Sequence, residues 1–375
     1  MRAPSYPEGT IADILPGCLK CLGAQGFSDR LGLARQLEGV RRIAVLLVDG
    51  MGWHQLPTMR PFAPGLVALP SRAITSGFPS TTPTSLVSLA TGAWPGSHGV
   101  LAFTSNIPGT DIVLNHTQWK DDPDPLLWQP VPPVYAEAAR QGIDVTVVNR
   151  AEYVGSGLTE VTTRGAVYVP ADSSQELADG MVKALLGADG PALVYGYYPN
   201  LDKMGHAFGL ESEQWADAAS KVDKIVERLV TALPPDAALV VTADHGQLDI
   251  PADRRIDIDG DPRLAYGVRV FAGEPRVRYL HAEPGAAADV LAAWQELVGH
   301  AAWIGSREEA IATGWYGPMD LTFAQRIGDV VVVCRDDWAV HGTRREPATI
   351  ARLVAMHGSL TDAELDIPLI VVRGE

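Results

Sequence analysis

Five short runs of unbroken hydrophobicity, each closed by turn residues, punctuate the chain at Arg42 to Val48, Asp144 to Val148, Ala192 to Tyr197, Ala238 to Thr242 and Ile367 to Val372. Continuous apolar runs of this length predict strands covered on both faces. Helical stretches alternate with them over Pro133 to Gln141, Ser174 to Leu186, Glu213 to Leu233 and Thr349 to Met356. The alternation predicts an α/β fold, doubly wound, with a mainly parallel central sheet flanked by helices. From Asp249 to about Thr343 the texture changes to polar loops, with strands expected at Tyr266 to Phe271, Arg276 to His281 and Gly328 to Cys334 and a helix at Ala286 to Val298. The expected organisation is a core built from residues 1–248 and 344–375, with a small α/β lobe, 249–343, inserted into it. The strand from Ile367 then rejoins the main sheet.

Composition narrows the function classes. In 375 residues, 46% are hydrophobic and 20% charged, which excludes a disordered or fibrous chain. A formal charge of −15 argues against a groove that reads duplex nucleic acid through its phosphates, because such surfaces need clustered basic residues. Cys18, Cys21 and Cys334 are an odd number and imply no disulfide framework; the C-x-x-C pair has no second pair to complete a zinc site. No secretory leader and no apolar stretch of membrane-spanning length is evident, so the expected location is the cytoplasm, with no membrane partner. The oligomeric state is left open.

The chemistry sits where strands end. Asp49 follows the first run, Asp244 and His245 follow the fourth, and Asp202 and His206 follow the third with three residues between them. Ligands bind at the carboxyl edge of open α/β sheets, so three strands present carboxylate and imidazole to one rim. Singly, each reads as readily as a turn or cap residue. Together they form the donor set of zinc or a similar transition metal. Thr82, followed by Pro83, suits a helix N-cap, where its hydroxyl would meet the positive end of the helix and a phosphate could take the free amides. A nearby cation would lower the hydroxyl pKa and make it a useful nucleophile, although for this segment taken alone a plain capping role is the more common reading of Thr82. Two divalent ions against three carboxylates leave roughly one positive charge, so an acidic protein can still attract an anionic phosphate.

V-D-G-M-G around Asp49, F-P-S-T-T-P-T followed by A-T-G-A-W-P-G-S-H-G, D-K-M-G-H from Asp202, T-A-D-H-G around Asp244 and M-H-G-S-L around His357 occur in that order. The set resembles the alkaline phosphatase superfamily, and within it the nucleotide pyrophosphatase/phosphodiesterase branch. The resemblance implies that Asp49, Asp244 and His245 hold one divalent ion with the Thr82 oxygen, and that Asp202, His206 and His357 hold a second. Zinc is the expected metal, with manganese or iron as alternatives. His341 is the rival for the last position, and His98 is expected to be structural. The implied activity is hydrolysis of a phosphodiester or phosphoanhydride in a small molecule such as a nucleotide, through a covalent phospho-threonine at Thr82.

Departures from the pattern qualify the substrate. Where relatives carry an Asn contacting a phosphate oxygen shortly after S-H-G, this chain has Phe103, with Asn106 as a nearby substitute. Phe103, Tyr197 and Tyr198 are candidates for a pocket that receives a base or leaving group. No basic residue adjoins the Thr82 segment, which favours diesters over monoesters. The alternatives are a phosphomonoesterase, phosphonate hydrolase or phosphomutase of the same superfamily, or a non-catalytic metal- or nucleotide-binding protein.

Overall fold

The computed structural model describes residues 1–7 and 9–375. Its central sheet has seven strands: β1 (Arg42–Val48), β2 (Ser71–Thr75), β3 (Asp144–Asn149), β4 (Val167–Pro170), β5 (Ala192–Tyr198), β6 (Ala237–Thr242) and β7 (Asp366–Arg373). They lie in the order β2-β7-β6-β1-β5-β3-β4, and β7 alone runs antiparallel to its neighbours. The five apolar runs all become strands. β5 and β6 are buried at every position, and β1 at every position after Arg42, as strands covered on both faces must be. The edge strands β2 and β4 were not visible as apolar runs. They carry exposed side chains such as Arg72 and Val167, because an edge strand has less surface to hide.

Helices cover the sheet. In α4 (Glu213–Ala232) Trp215, Ala219, Val222, Ile225, Val226 and Leu229 are buried, a stripe at three- and four-residue spacing that joins the core formed by β1, β5 and β6. The other elements that matter below are α1 (Thr82–Thr91), α2 (Ser174–Gly187) and α3 (Asn200–Phe208). The expected helix over Thr349 to Met356 does not form. A single 3-10 turn, Ile350–Arg352, is followed by Ala355–Met356, which pairs with Leu248–Asp249. The apolar residues there are spent on holding an extended path: Val354 N donates to His206 O and Ala355 O receives the His206 ring.

Within the stretch after Asp249, a separate four-stranded antiparallel sheet has the order Val268–Glu274, Val277–Ala282, Val330–Cys334, Ala302–Ser306. One face of this sheet covers Trp294 from the helix Ala287–Val298. The other face, through Tyr279, Val331 and Val333, shares a core with Phe78, Leu101, Leu360 and Leu365. The small sheet therefore packs directly on the segments that flank Thr82 and His357. A buried ion pair reinforces the join: Arg276 and Glu364 are both fully buried and meet through two bonds of 2.9 and 2.8 Å.

Candidate active site

The site is assembled at the carboxyl ends of β5, β1 and β6, which are adjacent and in register: Val48 lies beside Tyr198, and Leu47 beside Thr242. Asp49 therefore emerges between the start of α3 and the Asp244–His245 turn. Gly50 makes the crowding tolerable. Its φ is 73°, and a Cβ there would stand 3.0 Å from Asp202. Asp202 and His206 lie one turn apart on α3, so both face the same point, with His206 Nε2 3.2 Å from Asp202 Oδ2. Thr82 is the first residue of α1 and Thr81 is the N-cap, one position earlier than the sequence suggests; Pro83 follows inside the first turn. The side chain of Thr82 is consequently free of capping duty and reaches His245 Nε2, 3.1 Å from its Oγ1.

All seven predicted ligand and nucleophile residues converge. His245 Nε2 lies 3.5 Å from Asp49 Oδ1 and 3.3 Å from Asp244 Oδ2; His357 Nε2 lies 3.2 Å from His206 Nε2 and 3.8 Å from Asp202 Oδ1. The rings of His245 and His357 stack at 3.6 Å. Each histidine turns its Nδ1 to a backbone carbonyl: His206 to Ala355 O at 2.7 Å, His357 to Ser80 O at 2.9 Å and His245 to Gly246 O at 3.2 Å. Such contacts fix Nδ1 as the protonated nitrogen and leave three Nε2 lone pairs directed inward, as metal ligation requires. Two donor groups result, Asp49–Asp244–His245 and Asp202–His245–His357, each with its ligand atoms within 4.8 Å of one another. His341 belongs to neither; it lies on the Ala339–His341 strand beside Asp257.

The electrostatics of the cluster follow from burial and from the crowding of its charges. Burial, and then the Asp244 and Asp202 charges, push the Asp49 carboxyl well above the usual range. Burial also raises Asp244, against the pull of His245. Burial works on Asp202 too, but His206 beside it, with His357 and His245, holds it below the usual carboxylate range. His357 is pushed well down by burial and by His245. Asp49 Oδ1 and Asp244 Oδ2 are buried with no hydrogen-bond partner. Unpaired buried carboxylate oxygens facing imidazole lone pairs are costly alone and fit divalent cations of the zinc type.

A cavity of about 450 Å³ opens over the cluster, walled by Asp49, Thr82, Asp202, His206 and His357 together with Phe103, Tyr197, Leu86 and Leu158. Phe103 and Tyr197 are thus where the pocket reading needs them. Tyr198, its neighbour along an extended strand, turns to the other face and is absent from the wall. Tyr197 also does something not read from the sequence: its hydroxyl donates a hydrogen bond to Asp49 Oδ2. Asn106 is not brought to the cavity. Its amide donates to Thr110 O and Ile112 O inside a hairpin, at 2.9 and 3.0 Å, so both protons are spent on the turn. His98 is buried and bonded to Ser88 Oγ within α1, a packing role. Gln247, which donates to Asp202 Oδ1, and Glu274, in the cavity wall, were not anticipated.

A seven-stranded α/β sheet with paired acidic–imidazole donor groups at its carboxyl edge is the architecture of the alkaline phosphatase superfamily. The fold is shared with murine ectonucleotide pyrophosphatase/phosphodiesterase 5, at a TM-score of 0.67 and 19% identity over 89% of this chain and 88% of that one. It is shared equally with phosphonoacetate hydrolase from Sinorhizobium meliloti 1021, at 0.67 and 20% over 90% and 91%. The chain belongs to the type I phosphodiesterase/nucleotide pyrophosphatase family, whose model matches residues 43–360. A curated relative, an uncharacterised pyrophosphatase/phosphodiesterase of Schizosaccharomyces pombe, is 26% identical over 237 residues, 58% of this chain and 47% of that protein. Human bis(5'-adenosyl)-triphosphatase ENPP4 is 24% identical over 182 residues, 46% of this chain and 39% of its own length. The matches thus span half or less of the curated relatives.

Proposed function

We propose that the protein hydrolyses phosphodiester or phosphoanhydride bonds of small nucleotide-like molecules, using Thr82 as nucleophile and two divalent ions, zinc by preference, held by Asp49, Asp244, His245 and Thr82 and by Asp202, His206 and His357. The observation that carries this reading is the position of the Thr82 hydroxyl, 3.1 Å from His245 Nε2 on the edge of a buried carboxylate–imidazole cluster. When bound, the ions supply positive charge that lowers the pKa of the threonine hydroxyl and offsets charge on the phosphoryl oxygens. The chain does the rest. Pro83 has no N–H and Ser85 N donates to Thr81 O, so the amides of Thr82 and Thr84 are those the first turn of α1 offers to phosphoryl oxygens. The Thr82 oxygen attacks phosphorus in line; a P–O bond to Thr82 forms as the bond to the leaving oxygen breaks, and water later cleaves the phospho-threonine.

Substrate class follows from the wall of the cavity. Phe103, Leu86 and Leu158 give it an apolar side fit for a base or aryl group, whereas Lys203 is its one ammonium or guanidinium among the described residues. A dianionic monoester would need more positive charge than that. The odd number of cysteines, three in the chain, is the one ground for keeping a reducing compartment, the cytoplasm, as the proposed working location. The test is turnover of bis-p-nitrophenyl phosphate and diadenosine triphosphate against p-nitrophenyl phosphate and phosphonoacetate, in zinc-loaded protein. Diesters and anhydrides should be preferred, and Thr82→Ala should lower turnover by at least about 10³-fold. Turnover restricted to monoesters or to the phosphonate, or unchanged in Thr82→Ala, removes the proposal.

A further inference from the structure

One cation borders the cavity, and attack by Thr82 leaves it without a task. Lys203 lies on α3 between the two candidate ligands of that helix, one residue after Asp202 and three before His206. Side chains three apart on a helix are neighbours, with Cβ atoms about 5–6 Å apart, so the Lys203 stem rises beside His206. A second segment places its ammonium. Nζ donates to the Tyr153 hydroxyl at 3.3 Å and lies 5.8 Å from the centroid of that ring, off its hydroxyl end rather than over its face. Tyr153 shares the cavity wall and leads back to the cluster: its ring centroid is 6.3 Å from that of Tyr197, whose hydroxyl donates to Asp49 Oδ2. The ammonium is thus tied to both donor groups, through α3 to Asp202 and His206 and through two tyrosines to Asp49.

That ammonium is neither buried nor firmly neutralised. The Lys203 side chain is 47% exposed, and its carboxylate neighbour Glu152 is 3.9 Å away, more than half exposed and shared with Arg150 at 3.8 Å. Exposed pairs of this kind hold weakly and yield to a better acceptor. Arg150 does not line the cavity; its Nη2 donates to Asn200 Oδ1 at 2.7 Å. One ammonium proton of Lys203 goes to Tyr153, and the others have no hydrogen-bond acceptor among the described residues. What such a group recognises follows from charge. A simple diester is a monoanion, its charge confined to the phosphorus group that Thr82 attacks. A phosphoanhydride carries further negative charge on the adjacent phosphate, and Lys203 is the cationic side chain of the wall that can meet it.

We propose that Lys203 is a specificity-determining residue: its ammonium, held by Tyr153, takes the phosphate next to the one attacked and favours phosphoanhydrides of the nucleoside polyphosphate kind over simple diesters. The inference rests on the phosphoryl-transfer reading of the site and narrows its substrate class.

The test compares zinc-loaded wild type, Lys203→Ala and Lys203→Arg in two assays. The first is kcat/KM for diadenosine triphosphate and for bis-p-nitrophenyl phosphate. The second is calorimetric affinity for AMP and for α,β-methylene-ADP, whose P–C–P link is not cleaved. Lys203→Ala should lose about 10- to 100-fold in kcat/KM on diadenosine triphosphate and only about threefold on the diester. Its affinity for α,β-methylene-ADP should fall about tenfold, and that for AMP by about threefold or less. Lys203→Arg keeps the charge and should stay within about fivefold of wild type on the anhydride. Equal losses on both substrates, no loss on the anhydride, or an Arg variant as impaired as the Ala variant overturns the proposal; wild-type diester turnover in the same experiment leaves the hydrolase reading standing. A wild type that cleaves neither substrate, yet binds α,β-methylene-ADP about tenfold better than Lys203→Ala, sinks the hydrolase reading and keeps the contact.

Discussion

Replacing Glu364 with alanine isolates the join between the small sheet and the main core. The carboxylate receives Arg276 Nε and Nη2 at 2.9 and 2.8 Å, Ser359 N at 3.0 Å and Thr361 Oγ1 at 2.5 Å, and neither member of the ion pair is exposed. Truncation leaves a buried guanidinium whose remaining acceptors are the carbonyls of Trp338 and Asp336. Stranding one charge of a buried pair costs about 3–5 kcal/mol. The orphaned Ser359 amide adds about 1 kcal/mol or more, so a loss of roughly 4–6 kcal/mol is expected. Against a total of about 5–15 kcal/mol, that is at least about a quarter of the stability, and at the low end of the range it unfolds much of the population. The assay is urea denaturation of the zinc-loaded protein, read by fluorescence. The paired replacement Arg276→Met with Glu364→Leu removes both charges and should recover most of the loss, because the penalty comes from the uncompensated charge. A Glu364→Ala variant within about 1 kcal/mol of wild type, or a double variant no better than the single one, refutes this account of the join.

Two further outcomes probe the metal-binding cluster. Tyr197→Phe removes the donor to Asp49 Oδ2 while leaving the ring in the cavity wall, and should weaken zinc affinity by about 10- to 100-fold in a competition titration. Chelation by EDTA should lower the thermal midpoint and zinc should restore it, because bound cations occupy carboxylates that otherwise repel one another; at a thousandfold excess over Kd the gain is about 4 kcal/mol per site, visible by differential scanning calorimetry.

Much of this arrangement is legible in the chain because its ligands fall at the ends of buried strands. β1 after Arg42, β5 and β6 are buried throughout and the residue types change abruptly at Asp49 and Asp244, so the interior strands and their candidate metal-binding ends are signalled together. The edges are not. β2 is exposed over its first three positions and β4 has no buried position, and residues 349–356 have helical composition but form only a 3-10 turn and a two-residue strand, because pairing with Leu248–Asp249 and the His206 contacts decide their path. Glu274 was hidden for another reason. It closes a strand much as Asp49 does, yet only the packing of one sheet on another shows that it faces Thr82's cavity. The hydroxyl of Tyr197 was likewise beyond reach, since an aromatic in a buried strand gives no sign of where its polar tip ends.

The stretch that forms the small sheet separates Asp244 and His245 from His357, and its inner face packs on Phe78, Leu101, Leu360 and Leu365. During synthesis on the ribosome, the first five ligands and the threonine emerge well before the last one. Until the final imidazole has been delivered, the proposed second seat of Asp202, His206 and His357 is incomplete. On the proposed two-ion reading, filling of that second seat is therefore a late event, and a chain ending before His357 would leave it unfinished.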